Sequence, residues 1–283
     1  VLRQRLLIAT LIVPPGLLVI WIGGWLFLIV IFLFFLIAVR EYIQMMQQAG
    51  HRPAQPVLVG GVLALILAQA LPAMMAGLLP IANLLSGGVL MLTLIVAVAW
   101  HLADYERGAP SSATDWAVTV AGLVYVGWAA GYGMLLRTLP DGRLWTLIVL
   151  GCIWLADTGA YVVGKRWGRR PLAPRLSPKK TWEGFAGGVI WAAGFGALFG
   201  VIGSTSVPPQ SAIGAGSGFL IGLIVGLTGP IGDLGISMIK RQVGLKDTGN
   251  LLGAHGGILD RIDSWIVAIP LAYFAIKLFF PAG

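Results

Sequence analysis

From Leu6 to Val39 the chain carries no charged side chain, and uncharged apolar runs of the same kind recur to its far end. Such runs leave few options, because a helix crossing a hydrocarbon layer needs about 20 apolar residues and pairs every backbone polar group within itself. The runs fall near residues 6–22, 24–39, 57–79, 84–102, 116–136, 144–163, 184–203, 213–231 and 262–280. Hydrophobic residues make up 58% of the 283 and charged ones 11%. That is too little polar surface to cover a water-soluble globule. The alternation expected of barrel strands is absent. The expected fold is an all-α polytopic integral membrane protein with about nine transmembrane helices.

The first two spans share one uncharged run, broken only by Pro14, Pro15 and the pair Gly23 and Gly24. It reads as two short helices, the alternative being one long span with a re-entrant piece. Charge asymmetry sets the orientation, since short cytoplasmic loops collect Lys and Arg. With the N terminus cytoplasmic, the inner segments hold Arg3, Arg5, Arg40, Arg52, Arg107, a cluster from Lys165 to Lys180, then Lys240, Arg241, Lys246 and Arg261. The outer ones hold Arg137, Arg143 and Lys277. The net charge of +8 is therefore read as topology and contact with anionic membrane lipids, not nucleic-acid binding. Cys152 is the single cysteine, so neither an intrachain disulfide nor a cysteine metal cluster is expected. The 40 glycines suit close helix approach. No cleavable signal peptide is expected, because Pro14 and Pro15 interrupt the first apolar core.

The chain divides by chemistry into a scaffold of about five helices over 1–143 and a catalytic region of about four helices over 144–283. Acids in the first part, Glu41, Asp104, Glu106, Asp115 and Asp141, stand near expected span ends or in loops. Asp157 lies well inside an apolar run, where a carboxylate costs about 2.5–3.5 kcal/mol on insertion scales. Asp157, Tyr161 and Lys165, spaced by four, share a helical face descending to a basic loop. Within that loop Ser177, Pro178, Lys179 and Lys180 precede Thr181, a candidate cap of the next helix. Cations beside a helix N terminus suit a phosphate. Glu183 is expected to pair with a lysine or to support a metal site.

Further on, Asp233, Ser237, Lys240 and Arg241 fall on one face of a helix. Asp260 and Asp263 are one turn apart at the start of the last apolar run, with Asp233 approaching from the preceding one. Oxygen donors of this kind suit Mg²⁺. Each feature also has a plainer explanation. Asp157 alone serves helix packing, the basic loop serves topology, Asp260 and Asp263 serve as caps, and His255 serves an ordinary hydrogen bond. An ion-coupled transporter with a buried carboxylate and glycine-broken helices, or a noncatalytic lipid-binding scaffold, also remains open.

Three motif blocks between about Trp154 and Ser264 carry a resemblance. Trp154, Asp157, Thr158, Ala160, Tyr161 and Gly164 form the first; Ser177-Pro178-Lys179-Lys180-Thr181 with Glu183 and Gly184 the second. Gly232, Asp233, Leu234, Ser237, Lys240 and Arg241, followed by Lys246-Asp247 and His255-Gly256-Gly257 with Asp260, Arg261 and Asp263, form the third. The pattern resembles phosphatidate cytidylyltransferases, also called CDP-diacylglycerol synthases. It departs from them at Ile236, where a glutamate is frequent, and at Gly253-Ala254, where Pro-Gly is usual. The resemblance implies magnesium-dependent transfer of a cytidylyl group from CTP to phosphatidic acid, giving CDP-diacylglycerol and pyrophosphate. It assigns catalysis to Asp157, Lys240, Arg241, Lys246, Asp247, His255, Asp260 and Asp263. Substrate phosphates go to Lys165, Ser177, Lys179, Lys180, Thr181, Ser237 and Arg261, and Mg²⁺ to Asp233, Asp260 and Asp263. A second cation and oligomerisation are left open. The expected location is the bacterial inner membrane with the site facing the cytosol.

Overall fold

A computed structural model describes residues 14–75, 78, 81–249, 251 and 256–280. Residues 14–22 are helical, and the chain breaks at Gly23 and Gly24, whose φ values of 69° and 54° favour glycine. Arg137 secures the break, donating from Nε to Ile20 O at 2.8 Å and from Nη2 to Trp21 O at 3.3 Å. A guanidinium here satisfies carbonyls that a helix end leaves unpaired. The long apolar run is thus divided where the glycine pair stands. The first expected span, 6–22, begins outside the described residues.

Helix α1 covers Gly24–Gln48, α2 Gln55–Met74 and α3 Ala82–Glu106. Next come α4 (Ser112–Gly122), a π-helical turn (Leu123–Trp128) and α5 (Tyr132–Thr138), which act as one crossing element. Helix α6 covers Gly142–Trp167, α7 Trp182–Ser204, α8 Ala215–Gln242 and α9 Leu259–Phe279. Among the described residues, 8 helical segments are long and apolar enough to cross a membrane. Several outrun the apolar stretches that announce them: α1 continues past Val39 to Gln48, and α8 past Ile231 to Gln242. Hydropathy marks where lipid contact stops, whereas a helix stops where its hydrogen-bond ladder stops.

Two ends emerge from the contacts. At one, Arg137 meets residues 20 and 21, and Ser211 Oγ donates to Asp141 Oδ2 at 2.6 Å. At the other, Arg52 N donates to Asp115 Oδ1 at 2.9 Å, and the polar termini of α1, α6, α8 and α9 gather. The basic loop after α6 folds as an antiparallel hairpin, β1 (Pro171–Ala173) and β2 (Ser177–Thr181), with Pro171 opposite Thr181. The cationic cluster, with Arg52 and Arg107, lies at this second end.

Helices α6, α7 and α8 form the tightest layer because small residues let backbones meet. A Cβ on Gly196 would collide with Gly218 O, and one on Gly218 with Gly196 O. Helix α9 then docks on α8 where Gly232 lies against Asp263 O. This contact puts Asp233 and Asp263 on facing helices at the hairpin end.

Candidate active site

The site is built from the ends of α6, α8 and α9 and from β2. Thr181 ends β2 and caps α7, its Oγ1 accepting from Gly184 N at 3.1 Å. Glu183, in the first turn, accepts from Arg169 N at 3.0 Å and Arg170 N at 3.2 Å. It therefore ties the hairpin's entry to α7, in place of the lysine pair or metal support expected of it. Arg241 holds the hairpin's other side, donating to Leu176 O at 3.3 Å and Leu245 O at 3.0 Å.

Beside β2 lies a cavity of about 350 Å³. Asp157, Lys179, Lys180 and Asp233 line it, while Phe185 and Pro230 supply apolar wall. Lys180 Nζ pairs with Asp233 Oδ2 inside it. Ser237 Oγ lies 3.4 Å from Asp233 Oδ1, one helical turn along α8. Asp157 opens onto this cavity within electrostatic range of Asp233, Lys180 and Arg261. Asp263 is buried, accepts from Ser264 N at 2.7 Å, and lies within range of Asp233, Asp157 and Lys180. Three carboxylates from three helices thus lie within electrostatic range of the Lys180 ammonium, which pairs with Asp233.

Asp260 is turned away from this group. Its Oδ1 accepts from Lys240 Nζ at 2.6 Å. Its Oδ2 accepts from Thr248 N at 2.8 Å and from Thr248 Oγ1 and Gly257 N at 3.0 Å. The expected trio of Asp233, Asp260 and Asp263 is regrouped: Asp157 stands with Asp233 and Asp263, and Asp260 organises the α8–α9 connection. Lys246 and Asp247 are exposed beside that connection, and Lys165 sits over the Tyr161 ring at 5.7 Å, outside the cavity lining. Ser177 starts β2, and Arg261 is exposed on α9. His255 lies outside the described residues.

Among the described residues no group of three His, Cys, Asp or Glu side chains forms a ready chelate for a metal ion. The donors nevertheless fit Mg²⁺, which takes one or two carboxylates and completes its shell with water and phosphate oxygens. Asp233 and Asp263 supply hard oxygen donors close enough to repel one another and Asp157, a repulsion that a divalent cation would offset.

Two participants come from the first half of the chain. Tyr125, in the π-helical turn, donates to Gly232 O at 3.3 Å and lies within range of Asp263 and Asp233. Glu41, 5% exposed, accepts from Ile258 N, Leu259 N and Thr248 Oγ1. Its position after a long uncharged run reads as a span boundary. Extending α1 by its heptad would have exposed the signal, since Glu41 shares a face with the fully buried Ala38 and Met45.

Comparison with known proteins was made on the whole chain. A sequence model described as "Cytidylyltransferase family" matches residues 3–279. The phosphatidate cytidylyltransferase of Synechocystis sp. is 32% identical over 309 aligned positions, covering 98% of this chain and 97% of that protein. That of Bacillus subtilis is 40% identical over 158 positions, covering 55% of this chain and 56% of that protein. That of Mycobacterium bovis is 32% identical over 257 positions, covering 86% and 78% respectively.

Proposed function

Because the chain belongs to the cytidylyltransferase family, we propose that it transfers a cytidylyl group from CTP to phosphatidate. A phosphate oxygen of phosphatidate attacks the α-phosphorus of CTP. A new P–O bond forms there, the bond from the α-phosphorus to the bridging oxygen of the β-phosphate breaks, and pyrophosphate leaves with that electron pair. CDP-diacylglycerol remains. The attacking group is already an anion, so no protein nucleophile is needed. The protein's contribution is alignment and charge stabilisation.

The observation that carries this reading is a cavity lined by Lys179, Lys180, Asp157 and Asp233, with Asp263 within electrostatic range and an apolar wall that includes Leu172, Phe185 and Pro230. Cations there attract phosphates, and the apolar wall suits the start of an acyl chain. Lys179 and Lys180 bind substrate phosphate, with Ser177 and Thr181 holding β2 in place. Ser237 orients Asp233. Lys240 and Arg241 keep α8, the hairpin and α9 in register through Asp260 and Leu176 O. Lys165, Lys246 and Arg261 guide the phosphates in from the aqueous side, Asp247 stands exposed beside Lys246, and His255 adds a donor for them.

Asp233 and Asp263 would hold Mg²⁺, which would supply charge neutralisation on the triphosphate when bound. The site faces the cytosol across a bacterial inner membrane, where CTP arrives from water and phosphatidate from the bilayer. The test uses purified protein in mixed micelles. Pyrophosphate release that requires CTP, phosphatidate and Mg²⁺ together is the expected result. Ion flux in vesicles without turnover would replace this reading by transport.

A further inference from the structure

Glu41 lies on α1, far in sequence from the residues just assigned, yet its carboxylate accepts three hydrogen bonds at the start of α9. Ile258 N donates at 2.9 Å, Leu259 N at 2.8 Å and Thr248 Oγ1 at 3.0 Å. Helix N termini present unpaired amides, and an anion there is favoured by both hydrogen bonding and the helix dipole. Among the described residues no ion pair involves Glu41. Its charge is met by peptide groups and one hydroxyl.

The fit around this carboxylate is close. A Cβ on Gly249 would stand 2.9 Å from Oε1, and one on Gly257 would overlap Oε2. Thr248 Oγ1 lies 3.0 Å from both Glu41 Oε2 and Asp260 Oδ2. A hydroxyl has one proton to donate, so the two carboxylates share it. Asp260 keeps Thr248 N, Gly257 N and Lys240 Nζ as separate donors. The chain Glu41, Thr248, Asp260, Lys240 therefore joins α1 to α8 and α9 through side-chain contacts.

We propose that Glu41 is a positioning residue for nucleotidyl transfer: a buried anion that fixes Thr248 and the first turn of α9, and so sets where Asp260 and Asp263 point. The proposal rests on the reading of Asp263 as part of the reacting site, with Asp260 holding the α8–α9 connection beside it. Glu41→Gln keeps the side chain's shape but puts an amide N–H₂ against a backbone N–H, donor against donor. Thr248→Val keeps shape and removes the shared proton.

Both variants are compared with the parent in mixed micelles for turnover, half-saturating Mg²⁺ and thermal inactivation. Amide hydrogen exchange of Ile258 and Leu259 is measured on the substrate-free protein. For Glu41→Gln we expect at least about a tenfold loss of turnover and a raised Mg²⁺ requirement, as partners of metal-site groups commonly give. Exchange at Ile258 and Leu259 should quicken while α6 and α7 are unchanged, and the two substitutions should combine less than multiplicatively. Unchanged exchange overturns the proposal, as does a loss of thermal stability with parental kinetics. If Glu41→Gln inactivates too readily for kinetics, Thr248→Val with parental Mg²⁺ dependence and exchange has the same force. A parent that exchanges as expected but never releases pyrophosphate would remove the reaction reading and leave the clamp on α9.

Discussion

Lys240 Nζ lies 2.6 Å from Asp260 Oδ1, and the two side chains are only 10% and 6% exposed. Taking two charges out of water is repaid only when both keep their partners. Asp260 has backbone donors besides the lysine, whereas Asp260 Oδ1 is the ion-pair partner the structure gives Lys240. Removing the carboxylate should therefore be worse for the fold than a surface substitution. Asp260→Asn is expected to destabilise the protein by about 3–5 kcal/mol in the limit of a fully broken pair. Lys240→Met with Asp260→Asn should recover part of that stability but no turnover. Thermal inactivation of the two singles and the double in detergent checks this, and additive losses would count against a coupled pair.

Lys179 and Lys180 are neighbours on β2 but are expected to differ. Lys180 reaches Asp233, whereas Lys179 lines the same cavity without an ion pair among the described residues. Lys180→Gln should cost at least about tenfold more in turnover than Lys179→Gln, because it also leaves Asp233 without its ion-pair partner beside Asp263. Membrane insertion should persist in both, since the rest of the basic hairpin remains. Equal effects would mean that the pair acts only as diffuse positive charge.

Asp233→Asn and Asp263→Asn should each abolish most turnover and shift the Mg²⁺ requirement upward, while Asp157→Asn should do so less. Asp157 opens to the cavity within range of Arg261 as well as Lys180, so its charge has more than one counterion. Turnover titrated against Mg²⁺ at fixed CTP separates these cases. Parental Mg²⁺ curves for both Asp233 and Asp263 variants would remove the metal assignment.

Gly232→Ala tests the docking of α9. A Cβ there would collide with Asp263 O, a backbone atom that cannot rotate aside. The expected cost is about 1–3 kcal/mol, typical of forcing extra volume into a packed contact, together with loss of turnover as Asp263 moves. Gly194→Ala, where nothing lies within 4 Å of the added carbon, should leave both unchanged. Inactivation temperatures and turnover of the pair decide the matter.

Orientation can be read chemically. Cys152 is fully buried, so single cysteines introduced at Arg170 and Gln210 report accessibility with little background. A membrane-impermeant thiol reagent added to intact cells should spare Arg170→Cys and label Gln210→Cys. The reverse pattern would put the hairpin and the acidic group on the outer face.

The helical membrane class, the break at Gly23 and Gly24, the cap at Thr181 and the acids of the second half are all properties of local sequence. Hydropathy, glycine and proline placement and i, i+4 spacing act over a few residues, so they could be read without the fold. Grouping is different. Asp260 and Asp263 are one turn apart and looked like partners, but they project at different angles from α9: Asp263 towards Asp233 and Asp157, and Asp260 towards Thr248 and Lys240. Which carboxylates share a field depends on how α6, α8 and α9 cross, and that is set by backbone contacts such as Gly196 on Gly218 and Gly232 on Asp263 O. Glu41 shows the same limit most plainly. Its sequence neighbours mark a boundary of lipid contact, while its function as a buried cap on α9 comes from residues more than two hundred positions away. Only the folded chain brings that anion to the amides that stabilise it.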